Sequence, residues 1–345
     1  MASVIVVHPS FDLVWPWAAD RFYTQWSAQG AVDFIRLTPG DERALGQIVT
    51  EPQRVIRLIS LKVEVTADCL RAFGNLKEAV IARDSYSWKP MPEEQMNILI
   101  ERGVKLYSHR SEGYWGQSVS EFGLALTLCG LRRIPQTHHE MLTSVEPWIY
   151  EPPGGVGVPR GRGQQFGDDP NFTNGTIEGK RIRIVGAGNI ASRYASFVSM
   201  LGADVAAWDP FATEPSFHRA GSRREWYLSE LVKDAEIFAP MVPQTDQTKG
   251  MITRELIYAL PKGCLVILAT RAMVCDMEAI RERVLADEIS LAADVFDVEP
   301  VPFDDPLLGR HNVVHTPHNA GRTMQANERW ADMLLEQFLP VTANK

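Results

Sequence analysis

Three residues far apart in the chain, Arg271, Glu299 and His318, carry the side-chain types that hydride transfer at an alcohol carbon requires. Such a reaction needs a base for the hydroxyl proton, best with a pKa near working pH. If the alcohol sits beside a carboxylate, a cation is needed as well. Imidazole suits the first role, and a neighbouring carboxylate favours its charged form. Guanidinium suits the second, because its planar fork meets two oxygens at once. Each residue follows an apolar run of strand type: Arg271 after CLVILAT, Glu299 after LAADVF, His318 after NVVH. In open parallel sheets, ligands bind beyond the carboxyl ends of the strands, so the three positions point to one crevice. A single Arg, Glu or His after a strand is more often structural. The reading rests on three complementary roles at three corresponding places.

A second constellation supplies the partner for such a hydride. Gly186-Ala187-Gly188-Asn189-Ile190-Ala191 fits G-x-G-x-x-A between an expected strand, Ile182 to Val185, and an expected helix. Gly186 makes the tight turn, Gly188 lets a pyrophosphate approach the backbone, and Ala191 permits close helix–strand packing. The helix N-terminus offers free N–H groups to the phosphates. Asp209 follows Gly188 by 21 residues, at the end of the strand DVAAW. A carboxylate there accepts hydrogen bonds from a ribose 2′-OH and repels a 2′-phosphate. The expected cofactor is therefore NAD, in preference to NADP.

These residues need two sets of alternating elements to position them. The first third of the chain reads as strands VIVV (4–7), DFIRL (33–37), RVIRLIS (54–60), EAVIAR (78–83) and GVKLYSH (103–109), with helical patterns between them. Alternation of this kind indicates a parallel sheet with helices on both faces. SVSEFGLALTLCGLRRI (118–134) reads as a long buried helix, with Ser118 or Ser120 as its cap and Arg132 and Arg133 in its last turn. Residues 146–178, rich in Pro, Gly and polar side chains, show no period and read either as an arm or lid or as a plain solvated loop. From Lys180 the strand–helix alternation resumes through NVVHTPH, and an amphipathic helix (323–339) follows.

Composition bounds the class. The 345 residues suit two domains, with 45% hydrophobic and 23% charged side chains. A formal net charge of -8 argues against a nucleic-acid or anionic-membrane partner. Cys69, Cys129, Cys264 and Cys275 form no CxxC pair, which suits reduced thiols and a cytoplasmic location. The segment MASVIVVHPS lacks the basic and long apolar regions of a secretion signal, and no apolar run nears the ~18 residues of a membrane span. His138 and His139 are adjacent and cannot share a helical face as paired ligands, so no metal is expected.

The stretches VSEFGLALTL, IVGAGNIA, VAAWDP, VPQTDQTKGMI, ATRAMVCD, AADVFDVEP and DDPLLGRHNVVHTPHNAG, in this order, resemble the D-isomer-specific 2-hydroxyacid dehydrogenases. The resemblance covers most of the chain, strongest over roughly 180–325 and weak before 115. It implies an α/β protein of two doubly wound parallel-sheet domains. One is a flavodoxin-like substrate-binding domain, 1–117 plus 319–345, and the other a Rossmann NAD-binding domain, 118–318, inserted between its halves. A crevice would close around both ligands. By resemblance Arg271 holds the substrate carboxylate, His318 is the acid/base and Glu299 supports it. The same resemblance suggests cofactor contacts at Asn189, Ile190, Val242, Pro243, Thr248 and Asp294, the last to the nicotinamide amide. It also implies a homodimer formed near the long helix and the segment after it.

Departures from the family pattern bear on the substrate, expected to be a small anionic 2-hydroxy or 2-keto acid. The family's Asn-Thr-Ala-Arg-Gly-Gly appears as Leu268-Ala269-Thr270-Arg271-Ala272-Met273. Its glycine-containing substrate loop appears as Arg83-Asp84-Ser85-Tyr86-Ser87-Trp88-Lys89, and Arg322 follows the histidine motif. Arg83, Ser85, Tyr86, Ser87 and Arg322 are thus candidate substrate contacts, and a larger polyhydroxylated or doubly anionic acid, such as a sugar acid, is the alternative substrate. A surface loop without substrate contact is the plainer reading of 83–89. Two rival functions stand beside the dehydrogenase: an NAD(H)-binding sensor or co-repressor-like protein without turnover, and a relative using another hydride donor, formate or phosphite. Glu299 argues against formate, whose enzymes pair the histidine with glutamine.

Overall fold

The computed structural model describes residues 2–85 and 90–339, which form two compact units. The first is Met1–Tyr114 with Arg322–Lys345, and the second is Trp115–Gly321. The sequence reading sets the crossovers at 117/118 and 318/319, three residues further into the second unit at each end.

The first unit is built on β1 (Ala2–Val7), β2 (Val32–Arg36), β3 (Val55–Leu61), β4 (Glu78–Ala82) and β5 (Lys105–Leu106). All pairings are parallel, in the order β2-β1-β3-β4-β5. That is the flavodoxin-like order of a doubly wound sheet. Val4–Val7 and Leu58–Leu61 are buried, as apolar runs covered on both faces must be. The C-terminal helix Met324–Leu335 packs on the helix Ala18–Ser27, although some 300 residues separate them. Trp330 is the anchor: its ring lies 5.4 Å from those of Phe11 and Trp15 and 6.0 Å from Phe22. Burying such a ring contributes on the order of 2–3 kcal/mol. The Thr323 hydroxyl caps this helix by accepting the Ala326 N–H at 3.1 Å, and Arg21 ties it down through Asp332 at 2.8 Å.

The second unit carries β6 (Arg181–Val185), β7 (Asp204–Trp208), β8 (Arg223–Arg224), β9 (Ile237–Pro240), β10 (Leu265–Leu268), β11 (Ser290–Ala293) and β12 (Val313–His315). Their order is β8-β7-β6-β9-β10-β11-β12, all parallel. This is the dinucleotide-binding order extended by one strand, and it reverses between β6 and β9. The edge strand β8 has no expected counterpart in the sequence. It is two arginines long and shows no apolar alternation.

The long helix spans Gly116–Arg132, two residues earlier at each end than expected. Its cap position is Trp115, without a side-chain bond, so the expected Ser118 and Ser120 caps are corrected. Both serines lie inside the helix, where Ser120 Oγ donates back to Gly116 O at 2.7 Å and Ser118 Oγ to Trp115 O at 3.4 Å. Arg133 ends the helix in the left-handed region, at φ 50°. Burial runs along one face. Gly116, Gly123 and Gly130 recur every seven residues on that face. A Cβ at Gly130 would stand 2.8 Å from the Leu265 methyls, and one at Gly123 3.1 Å from Met241 Cε. The absence of side chains brings the helix backbone against the sheet and against the helix Asn189–Met200, where Thr127 Oγ1 meets the buried Tyr194 hydroxyl at 2.8 Å. Residues 146–178 contain two short 3-10 turns, Glu146–Trp148 and Gln164–Phe166, and no strand among the described residues.

Candidate active site

Strands β10, β11 and β12 run in register, with Leu268 opposite Ala293 and Ala293 opposite His315. Arg271 and His318 each stand three residues past these positions, so the sheet delivers both to its carboxyl edge at the same level. Glu299 leaves the segment after β11 and reaches the histidine: His318 Nδ1 lies 2.7 Å from Glu299 Oε2. The other oxygen, Oε1, accepts the Phe296 N–H at 2.8 Å. One carboxylate thus closes its own turn and holds the imidazole.

His318 has φ 53°, a conformation that non-glycine residues seldom adopt. Such strain persists only where the surroundings over-determine it, and Asp294 supplies that constraint. Wholly buried, its carboxylate accepts Thr316 Oγ1–H at 2.6 Å, Asn319 N–H at 3.0 Å and Ala320 N–H at 2.9 Å. These bonds bracket the histidine on both sides. The hydrogen bonds that the structure gives the Asp294 carboxylate are therefore to the turn carrying His318, a task the sequence reading missed.

Arg271 is half-buried and donates Nη1–H to its neighbour's carbonyl, Thr270 O, at 2.7 Å. Its guanidinium carbon lies 5.8 Å from the centre of the Trp115 ring. Among the described residues it has no carboxylate partner. A half-buried cation in that state is a ready partner for an anion.

The glycine-rich turn sits where the strand order reverses. Gly186 has φ 109°, and a Cβ there would meet Met241 O at 3.0 Å and Val242 Cγ1 at 3.1 Å. Only glycine fits. At Gly188 the space a Cβ would occupy is open: apart from its chain neighbours, no atom of the described residues lies within 4 Å. Ala191 is buried beneath the turn. The first helical bond beyond it runs from Ser192 N–H to Gly188 O at 2.9 Å. The earlier N–H groups, at Asn189 and Ile190, have no intrahelical acceptor by helix geometry and lie at the positive end of the helix dipole. Open space, free donors and a dipole end fit a pyrophosphate.

Asp209 does more here than its spacing suggests. Oδ2 accepts the Ala187 N–H at 2.8 Å, and Oδ1 accepts those of Phe211 and Ala212 at 2.9 and 3.1 Å. The acid at the end of β7 therefore braces the glycine turn directly. Val242 packs beside Gly186. The Thr248 hydroxyl closes its own loop, donating to Pro243 O at 2.6 Å and accepting the Thr245 N–H at 2.8 Å.

The remaining candidates lie in the first unit. Arg83, exposed after β4, donates to Pro90 O at 2.8 Å. Ser85 is buried; its carbonyl accepts Trp15 Nε1–H at 2.6 Å, and its hydroxyl has no hydrogen-bond partner among the described residues. Tyr86 and Ser87 lie outside the described residues. Arg322 donates to Val14 O at 3.5 Å.

Comparison with known proteins extends this description. Residues 158–320 match the family model described as "D-isomer specific 2-hydroxyacid dehydrogenase, NAD binding domain". The chain is 27% identical to the hydroxypyruvate reductase of Thermotoga maritima over 292 residues, 83% of this chain and 84% of that protein. It is 26% identical to the D-3-phosphoglycerate dehydrogenase of Archaeoglobus fulgidus over 270 residues, 78% of this chain and 46% of that one. Across three such phosphoglycerate dehydrogenases the match spans less than half of their length, 46%, 39% and 32%. The fold is similar to that of a phosphoglycerate oxidoreductase from Rhizobium etli, with a TM-score of 0.72 at 20% identity over 97% of this chain and 93% of the other.

Proposed function

We propose, for a chain whose residues 158–320 match the NAD-binding domain of the D-isomer specific 2-hydroxyacid dehydrogenases, an oxidoreductase that moves a hydride between NAD(H) and C2 of a small 2-hydroxy or 2-keto acid. The observation that carries the reading is the 2.7 Å pairing of His318 Nδ1 with Glu299 Oε2, in the unit that also holds the glycine turn. NAD, when bound, supplies the hydride acceptor or donor.

The chain's own residues do the rest. An ionised carboxylate only accepts hydrogen bonds, so Nδ1 of His318 carries the hydrogen and Nε2 is left to take or give the substrate's hydroxyl proton. Arg271, which has no carboxylate partner among the described residues, takes that of the substrate through its planar fork. Asp294 keeps His318 in its strained conformation. The N–H groups that open the helix Asn189–Met200 take the pyrophosphate, and the anionic Asp209 favours a ribose diol over a 2′-phosphate. The relative from Thermotoga maritima, a hydroxypyruvate reductase, supports a small 2-keto acid as substrate. A panel of 2-keto acids followed by NADH absorbance tests the reading. Bound NADH without turnover on any acid would favour a sensor instead.

Arg83 and Ser85, beyond β4, remain candidates for the polar tail of a larger acid. Turnover on aldonic acids above that on glyoxylate supports this, and a preference for the two-carbon acid removes it. The four cysteines, none in a disulfide, suit a reducing, cytoplasmic compartment. A homodimer is part of the same proposal, supported by a run of exposed apolar side chains from Ile134 to Phe166.

A further inference from the structure

One indole in the second unit touches two parts of the candidate site. Trp115 ends the 3-10 turn Gly113–Trp115 and stands at the cap position of the helix Gly116–Arg132. The Arg271 guanidinium carbon lies 5.8 Å from its ring centre. The same ring lies on Gly321, where a Cβ would stand 3.0 Å from both Cδ1 and Nε1 of the indole. Gly321 follows Ala320, whose N–H is held by Asp294. A single rigid plane therefore bears on the candidate carboxylate-binding arginine and on the end of the turn that carries His318.

The backbone beside the indole packs against its neighbours. The next residue, Gly116, lies so close to the nucleotide-side helix that a Cβ there would meet Arg193 Nη1 at 2.7 Å and Asn189 Cβ at 3.5 Å. Arg271 needs such a support. Its one protein hydrogen bond among the described residues is to its neighbour's carbonyl, which leaves most of a long, rotamer-rich side chain unconstrained. An aromatic face within about 6 Å of a guanidinium attracts it electrostatically, and a planar wall also limits which way the fork turns.

From this geometry we infer that Trp115 is a positioning residue: it sets the Arg271 fork for the substrate carboxylate and ties that setting to the His318 turn. The inference rests on the reading of Arg271 given above. Substrate affinity, more than hydride chemistry or cofactor affinity, should depend on it. A tryptophan that merely fills space would instead show itself as lost stability, shared by every ligand.

Trp115→Phe keeps an aromatic face, and Trp115→Leu keeps bulk without one. The probe is oxamate, a non-reacting keto-acid analogue, titrated calorimetrically into NADH-saturated protein, with NADH affinity and Tm measured alongside. The expected result is a loss of oxamate affinity in W115L of about three- to thirtyfold, the span of a cation–π contact. W115F should recover most of it, with NADH affinity unchanged in both. Wild-type oxamate affinity in W115L overturns the inference, as does equal loss in both variants with a matching fall in Tm. Oxamate binding that is absent from the wild type, or unchanged by Arg271→Ala, overturns the carboxylate reading of Arg271 and the inference with it.

Discussion

Glu299 holds His318 by a single oxygen, Oε2 to Nδ1 at 2.7 Å, while its other oxygen closes the turn to Phe296 N–H. The carboxylate thus sets the orientation and the hydrogen position of the ring at once. Glu299→Gln keeps the shape but presents either a neutral oxygen or an amide N–H to Nδ1. Turnover should fall by about ten- to a hundredfold, and His318→Ala should cost ~10²–10⁴-fold, the usual loss for a positioned acid/base. NADH affinity should stay close to wild type in both. Steady-state kinetics with fluorescence titration of NADH checks this; equal losses of turnover and NADH binding would remove the assigned roles.

Asp209 predicts a less simple outcome than cofactor switching. Its carboxylate accepts three backbone N–H groups, including Ala187 inside the glycine turn. Removing a charged acceptor from several donors commonly costs ~2 kcal/mol or more. Asp209→Ala should therefore weaken NADH binding at least tenfold while moving the NADH:NADPH preference toward NADPH. Titration of both cofactors decides it. Unchanged NADH affinity would show that the brace is idle.

His109, in the first unit, gives the fold a pH dependence of known sign. Burial beside Trp330 and Tyr114 pushes its imidazole down to about 4, against a hydrogen bond from Nε2 to Trp330 O at 2.8 Å. The unfolded chain takes the proton near pH 6.5. Stability is then full above about 6.5 and declines as the pH falls toward about 4, by up to ~3 kcal/mol. Denaturant unfolding of wild type and His109→Gln across this window checks it; parallel curves for the two would contradict it.

The exposed apolar run in the second unit makes a testable claim about assembly. Leu142, Val145, Trp148, Tyr150 and Val156 are all more than half exposed, and a large exposed apolar patch marks an interaction surface. Sedimentation should give a dimer for the wild type and a monomer for Trp148→Glu combined with Val156→Glu. A monomeric wild type would remove the proposal.

Much of this was readable before any coordinates, and the rest for definite reasons was not. The G-x-G-x-x-A turn was legible because φ 109° at Gly186 and the wall at Met241 O permit nothing but glycine. The apolar strand runs were legible because buried parallel strands require them. By contrast, β8 is held by register to β7 and not by its own arginines, so no local pattern marks it. Ser118 and Ser120 have the residue type of caps but sit inside a helix that starts earlier. Asp294 and Trp115 act through contacts between residues more than twenty positions apart, and spacing along the chain carries no sign of those.

Transfer of deuterium from labelled NADH to C2 of a 2-keto acid, read by mass spectrometry of the product in wild type and His318→Ala, addresses the central claim most directly. The account predicts a singly labelled 2-hydroxy acid from the wild type and a loss of at least a hundredfold in its rate of formation from the variant. No labelled product from any acid despite bound NADH, or equal labelling by the variant, would contradict it.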